Sequence, residues 1–141
     1  MRRRFVQKVF EKLLETEQMN LSDEMLVVAG GTAERDLLRD CGFNHVTITN
    51  LDSVEASSHV EPYQWAHEDA QNLSYPQKSF RWVVVVDGLH HCTSPHRALT
   101  EMYRVCTNGV LVIEARDSLL MRAAVRFGFS SRYELEAVAA Q

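Results

Sequence analysis

The sequence predicts an α/β domain built on a doubly wound parallel sheet. Its short apolar runs are continuous rather than alternating, which is typical of strands buried on both faces. Segments with helical spacing separate these runs, and such alternation places helices on both sides of a parallel sheet. The 141 residues are enough for one domain with one core. We therefore predict a single domain over residues 1–141.

The first elements follow this pattern. Residues 1–20 predict an amphipathic helix whose apolar side chains, from Phe5 to Leu14, line one face. Residues 25–29 predict the first strand, which leads through a turn of small residues into a helix over 33–40. Residues 45–50 are rich in β-branched side chains and predict the second strand.

The middle of the chain contains the clearest strand. Residues 53–62 fit either a short helix or a loop, and 63–67 predict a weak third strand. Residues 80–87 include four consecutive valines and predict a buried central strand. No apolar run approaches the ~20 residues that a bilayer span requires.

The last elements begin with a helix. Ser94 predicts its N-cap and Pro95 its first position, and Asn108-Gly109 predicts its end. Residues 110–115 predict a fifth strand, and the C-terminal segment over 119–141 is predicted to be helical, with its amphipathic part at 119–127.

Bulk composition narrows the partners. Lys and Arg total 15 and Asp and Glu total 19, so the net charge of −4 does not favour nucleic acid. The three arginines at positions 2–4 fit a solvated terminus. Three widely spaced cysteines fit reduced thiols, and charges from Glu11 onward interrupt any signal-like apolar stretch. We expect a cytoplasmic protein without membrane contact.

Ligands of such sheets bind beyond the carboxyl ends of the strands, where the strand order reverses. Ala29, Gly30 and Gly31 follow the first strand, and the helix that begins there favours an anionic group. A tight turn without a ligand is the alternative. Asp52 lies about 20 residues beyond this turn and can hold vicinal ribose hydroxyls, although a lone Asp can also cap a helix.

Five further motifs lie between residues 68 and 111. They are Glu68-Asp69-Ala70 with the following run to Pro76, Ser79-Phe80, Leu89-His90-His91, Glu101-Met102-Tyr103-Arg104-Val105 and Asn108-Gly109-Val110-Leu111. Together they resemble the class I S-adenosylmethionine-dependent methyltransferases, most closely the type 11 methyltransferase domain. The resemblance covers most of residues 25–115, the predicted cofactor-binding core.

The resemblance implies a Rossmann-like sheet of order 3-2-1-4-5. It also implies S-adenosylmethionine as the cofactor and methyl transfer to a small-molecule acceptor. Gly31, with Ala29 and Gly30 beside it, is implied to contact the methionine part of the cofactor. Asp52, or failing it Asn50, is implied to hold the ribose hydroxyls.

The later strand ends supply the remaining implied contacts. Asp69 is implied to accept a hydrogen bond from the adenine amine, and Ala70 to offer its backbone. Asp87 and Gly88 are implied to line the methionine end of the cofactor.

His90 and His91 are implied to face the substrate. Either is a candidate general base, since an imidazole titrates near neutral pH, and the alternative is a structural histidine in the loop. Cys92 and His96 lie nearby, but no second pair of ligands accompanies them and we predict no metal site. Cys92 is a candidate nucleophile only with a lowered pKa.

The chain departs from the family pattern around the first loop. Val27 replaces the usual acidic residue, and Ala29 and Ala33 replace flanking glycines. Alanine fits these positions if its φ stays negative. Arg81 and Asn108 replace an acidic residue and a glycine further along.

The family adds two strands after the fifth, and the segment after Phe127 is too short for them. The fifth strand would then form an apolar edge, which proteins normally cover. A second chain, the C-terminal tail or the rest of a longer natural protein could provide that cover, and we expect a homodimer or a fragment of a longer protein.

Two other functions compete with methyl transfer. A non-catalytic module of the same fold, working through partners, fits the altered first loop. A nicotinamide-binding domain fits less well, because Gly30-Gly31 is followed by Thr32, Ala33 and Glu34 without the third glycine of that fingerprint.

Overall fold

A computed structural model describes residues 2–51 and 59–114. The helices and strands, in chain order, are α1 (Arg2–Glu15), β1 (Met25–Val28), α2 (Thr32–Cys41), β2 (Val46–Asn50), β3 (Gln64–His67), β4 (Phe80–Val86), α3 (Pro95–Val105) and β5 (Cys106–Ile113). A single 3-10 turn, Leu89–His91, lies between β4 and α3. The predicted helix over 119–127 and most of the ambiguous segment 53–62 lie outside the described residues.

The five strands form one sheet of order β3-β2-β1-β4-β5, which confirms the predicted order. Every neighbouring pair is parallel. Because β1 lies between β2 and β4, the chain direction across the sheet reverses beside β1. This reversal brings the carboxyl ends of β1, β2 and β4 together, where a doubly wound sheet binds its ligand.

The sheet is buried on both faces, as the continuous apolar runs predicted. Val27 and Val84 pack with α1 and α2 on one face. Val83 and Val85 pack with α3 on the other. Neighbouring valines of β4 therefore point into two different halves of the core, since successive side chains of a strand alternate.

Helix α1 packs through fewer side chains than its sequence predicted. Val6 and Phe10 are buried, and the Phe10 ring meets Phe43 edge-on with centroids 5.5 Å apart. Phe5 is 60% exposed, so its placement on the buried face was wrong. Phe5 precedes Val6 by one residue, which rotates it by about 100° away from the centre of the packed stripe. None of the helices in the described ranges is long and apolar enough to cross a membrane.

The junction between α3 and β5 differs from the prediction. The helix ends at Val105, and β5 begins at Cys106, whose backbone is extended (φ −87°, ψ 152°). Asn108-Gly109 therefore does not end the helix. A side chain at Gly109 would place its Cβ 2.6 Å from Cζ3 of Trp82 on β4, so this glycine lets the Trp82 ring pack across the strand.

The connection between β3 and β4 is tied to α3 by one arginine. Arg104 donates to the carbonyl oxygens of Tyr75 at 2.7 Å and Leu73 at 2.8 Å. It also donates to Glu101, whose carboxylate accepts the Leu73 N–H at 3.0 Å. The Arg104 hydrogen bond holds the pKa of Glu101 below its ordinary value. The Glu-Met-Tyr-Arg-Val motif thus has a structural role.

Candidate functional site

The turn after β1 is tightly packed. Ala29 has a positive φ of 52°, so the condition under which alanine fits this position without strain is not met. The Gly30 N–H donates to the Thr49 carbonyl of β2 at 2.9 Å, which fixes the turn against the neighbouring strand. A Cβ at Gly30 would lie 2.6 Å from Cγ1 of Val27. Only glycine fits at position 30 without displacing that valine.

Gly31 has the opposite surroundings. Its backbone is extended (φ −154°, ψ −151°), and a Cβ built there would meet no atom within 4 Å. It is the N-cap of α2, and its N–H donates to the Glu34 carboxylate at 2.8 Å. The open space therefore lies directly over the start of a helix, whose backbone N–H groups carry a partial positive charge.

Asn50 connects the ends of β1 and β2. Its side-chain amide donates to the Gly30 carbonyl at 3.1 Å, and its side-chain oxygen accepts the Leu51 N–H at 2.8 Å. Asn50 thus stabilises the turn at Gly30, next to the open space at Gly31. Asp52, the preferred candidate for the ribose hydroxyls, lies outside the described residues.

The end of β3 carries Asp69 and Ala70. One oxygen of Asp69 accepts the backbone N–H of Gln71 at 2.8 Å, and Ala70 is buried. The Gln71 side chain then accepts the Ser94 N–H at 2.7 Å. These bonds link the turn after β3 to the start of α3.

The turn after β4 meets the turn after β1. Asp87 has a positive φ of 55°, and its N–H donates to the Ile113 carbonyl at 2.8 Å. A Cβ at Gly88 would lie 2.7 Å from that of Ala29 and 2.8 Å from Cγ2 of Val85. Two predicted site residues from different strands, Ala29 and Gly88, are therefore in close backbone contact.

His90 and His91 lie in the 3-10 turn that follows, with ring centroids 3.9 Å apart and planes inclined by 42°. Nδ1 of His90 lies 2.9 Å from a carboxylate oxygen of Glu114, just beyond β5. The other oxygen of Glu114 accepts the Leu89 N–H at 2.7 Å. Sequence reasoning missed Glu114, although an acidic residue at the end of a strand beside β4 was a usable signal.

Cys92 is not activated as a nucleophile. Burial raises the pKa of its thiol, and the nearby carboxylates of Asp69 and Glu114 raise it further. The lowered pKa on which a nucleophilic role depended is therefore contradicted. Within residues 2–51 and 59–114, no group of three or more His, Cys, Asp or Glu side chains is arranged to hold a metal ion.

The structure thus brings the turns after β1, β2 and β4 into contact through Gly30, Asn50 and Gly88. A five-stranded parallel sheet of this order, with an open glycine over the helix that follows β1, is the architecture of a Rossmann-like cofactor-binding domain, which class I methyltransferases share. The family model of the methyltransferase domain matches residues 5–113, and the chain belongs to this family.

The chain is 26% identical over 117 residues to the ubiquinone/menaquinone biosynthesis C-methyltransferase UbiE of Roseobacter denitrificans, covering 74% of this chain and 47% of that protein. It therefore spans about half the length of this curated relative. The YcgJ protein of Bacillus subtilis superposes with a TM-score of 0.63 at 15% identity, covering 84% of this chain and 56% of that one. The [4+2]-cyclase SpnF superposes with a TM-score of 0.63 at 20% identity, covering 79% of this chain and 46% of that one. Both solved structures share the fold.

Proposed function

We propose that this chain binds S-adenosylmethionine at the carboxyl edge of its sheet and transfers the methyl group to a small-molecule acceptor. The observation that carries the proposal is the contrast between two adjacent glycines. Gly30 has no room for a side chain because the protein fills its surroundings, whereas Gly31 opens onto empty space above the start of α2. A ligand that approaches the backbone at Gly31 needs that space.

The described residues fit the cofactor part by part. Gly31, with Ala29 and Gly30 shaping the turn, would receive the methionine part. Asp87 and Gly88 would line the same end from β4. The contact between these two turns supports a single binding surface, because Gly88 approaches Ala29 more closely than any side chain at position 88 would allow.

The nucleoside part would lie towards β2 and β3. Asp52 would hold the ribose hydroxyls, with Asn50 supporting the turn beside it. Asp69 would accept from the adenine amine through the carboxylate oxygen that does not bind Gln71, and Ala70 would offer its backbone. When bound, the cofactor supplies a methyl group already activated by a sulfonium sulfur. The protein then contributes alignment and exclusion of water.

The acceptor would approach from the side of His90 and His91. The UbiE relative is named as a C-methyltransferase of ubiquinone and menaquinone biosynthesis, which supports a carbon of a small molecule as the acceptor atom. Methylation of a carbon or hydroxyl releases a proton, so a nearby base is needed. The free thiols of Cys41, Cys92 and Cys106 support a cytoplasmic setting for this reaction.

Calorimetric titration with S-adenosylmethionine tests the proposal, with the demethylated product and NAD as comparators. We expect a dissociation constant in the micromolar range for the first two and no heat of binding for NAD. Absence of binding at millimolar S-adenosylmethionine would contradict the proposal. Binding of NAD instead would assign the site to nicotinamide.

A second candidate function is a non-catalytic module with the same fold. The Glu34 carboxylate already accepts the Gly31 N–H, and Ala29 adds a methyl group where a glycine would leave more space. Both features reduce the attraction of the loop for the cofactor's carboxylate. If the native chain is stably folded and does not bind S-adenosylmethionine, that result would support this second function.

We also propose that a second copy covers the outer edge of β5. Among the described strands, β5 occupies one end of the sheet, and Val112 is 39% exposed. Light scattering after size exclusion measures the mass in solution. A dimer supports this arrangement, and a monomer with a well-ordered β5 contradicts it.

A further inference from the structure

Glu114 connects the end of β5 to the turn after β4, which contains His90 and His91. It follows β5 directly, and its carboxylate reaches back to the turn after β4. One oxygen accepts the Leu89 N–H at 2.7 Å, and the other lies 2.9 Å from Nδ1 of His90. Both oxygens are therefore committed to the same turn, one to its backbone and one to its imidazole.

This geometry determines where the imidazole proton lies. An ionised carboxylate accepts hydrogen bonds and donates none, so Nδ1 of His90 must carry the proton that joins it to Glu114. In a neutral imidazole the other nitrogen, Nε2, then holds a lone pair. The His90 side chain is 47% exposed and that of Glu114 is 25% exposed, so the ring is accessible while its partner is more enclosed.

We propose that Glu114 is a positioning residue that holds His90 with Nε2 as the available base. The proposal rests on the methyl-transfer function above and deepens it. It concerns His90, because the Glu114 carboxylate lies within hydrogen-bond distance of the His90 ring. The His91 ring packs against that of His90 with centroids 3.9 Å apart, which limits rotation of the imidazole.

The proton balance of the step is simple. The acceptor atom forms a bond to the methyl carbon as the bond from that carbon to sulfur breaks, and the sulfur keeps the electron pair. The proton that the acceptor loses passes to Nε2 of His90. The resulting imidazolium is stabilised by the Glu114 carboxylate at Nδ1, as in other carboxylate–histidine pairs.

The Glu114→Gln variant tests the role of the carboxylate with almost no change in size. The Leu89 N–H requires an acceptor, so the amide oxygen of Gln should face Leu89 and its NH₂ group should face His90. Nδ1 must then accept, and the proton moves to Nε2. Side-chain ¹⁵N–¹H correlation spectra of neutral His90 should show the Nδ1–H form in the native chain and the Nε2–H form in the variant.

A chemical probe of Nε2 accompanies the spectra. Diethyl pyrocarbonate modifies an imidazole nitrogen that holds a lone pair, and mass spectrometry locates the product. We expect modification of His90 to be about tenfold slower in Glu114→Gln, since a charge-assisted hydrogen bond biases the tautomer by at least that factor. Glu114→Asp keeps the carboxylate and should restore the Nδ1–H form. His96→Gln, on an exposed residue of α3, should leave the His90 signals unchanged.

The two proposals fail in different ways. A native His90 in the Nε2–H form, or a Glu114→Gln variant that keeps the Nδ1–H form, overturns the role of Glu114 even if S-adenosylmethionine binds. The expected change of tautomer would support the role of Glu114 even in a chain that does not bind S-adenosylmethionine. The absence of binding would then overturn the methyl-transfer function alone. Titration of the same samples with the cofactor separates these results.

Discussion

Two regions of the molecule, the turns at the carboxyl edge of the sheet and the connection between β3 and β4, are built in different ways. At the carboxyl edge, Ala29 and Asp87 adopt positive φ angles of 52° and 55°, and the turns that contain them touch at Gly88. The connection between β3 and β4 is instead held by Arg104 and Glu101, whose charged groups bind its backbone. The first arrangement leaves backbone next to open space, and the second satisfies backbone groups within the protein.

The difference separates functional from structural motifs. A positive φ by itself does not mark a site, because exposed Lys78 also has a φ of 60°. Strain combined with close packing and an adjacent opening supports the proposed site at the turns after β1 and β4, since the surrounding structure must then impose a costly conformation. The Glu-Met-Tyr-Arg-Val motif supports the family resemblance, yet its charged side chains hold a loop rather than face the proposed ligand.

Substitution of the two adjacent glycines gives the largest expected contrast. Gly30→Ala should lower the free energy of unfolding by about 1–3 kcal/mol, because its Cβ would lie 2.6 Å from Val27. Gly31→Ser should change it by less than about 0.5 kcal/mol, because serine is a good N-cap and has free space. Urea denaturation measures both.

Gly31→Ser, which should barely change the stability, should instead weaken binding of the cofactor. Gly31→Ser places a side chain where the methionine part of the cofactor would lie, so its affinity for S-adenosylmethionine should fall by about tenfold or more, which corresponds to about 1.4 kcal/mol. Native affinity in Gly31→Ser would show that the opening is not used by the cofactor.

Relief of strain at Ala29 should have a smaller effect. A left-handed alanine costs roughly 1–2 kcal/mol, whereas glycine costs about 0.5–1 kcal/mol in additional chain entropy. Ala29→Gly should therefore raise the free energy of unfolding by roughly 0.5–1 kcal/mol and leave the turn in place. Thermal and urea denaturation provide the measurement, and a less stable variant would contradict a strained Ala29.

The connection between β3 and β4 provides the smallest predicted effect, on pH dependence. The hydrogen bond from Arg104 lowers the pKa of Glu101 below its ordinary value of 4.5. Its contribution to stability is therefore complete well above pH 4.5 and is lost as the pH falls through the lower, folded-state value.

The Glu101→Gln variant should be less stable than the native chain at pH 7 and should lose less stability between neutral and acidic pH. Urea midpoints across that range report the change. Because the pair is only partly buried, with the side chain of Arg104 27% exposed and that of Glu101 18% exposed, solvent screens it and the difference should be modest. Parallel pH profiles for the two chains would show that the pair contributes no pH dependence.

The sequence was sufficient for the five strands because continuous apolar runs and helical spacing are local patterns. Their order was implied by the family resemblance and is confirmed by the sheet. Sequence reasoning failed where a local signal competed with a contact between strands. Asn108-Gly109 resembles a helix end, yet Gly109 is needed for the Trp82 ring of β4. The positive φ of Ala29 depends on packing against the turn after β4, which no local pattern encodes.

The location of the candidate site was predictable from the sequence, whereas several of its side-chain contacts were not. The rule for doubly wound sheets predicts from the sequence that Gly31 and Gly88 lie at the same edge. Glu114 was missed because its partner His90 is 24 residues away and becomes a neighbour only through the pairing of β4 with β5. The sequence also did not reveal that Asn50 binds the turn after β1.

The central claim is that S-adenosylmethionine binds over the turns after β1 and β4. Glycine amides resonate in a separate region of a ¹H–¹⁵N correlation spectrum, so a titration of the native chain tests this claim directly. We predict that the signals of Gly30, Gly31 and Gly88 shift in a saturable way. Gly42, at the end of α2, and Gly109, near the start of β5, should remain in place. Shifts confined to Gly42 and Gly109, or no shifts at millimolar cofactor, would contradict the account.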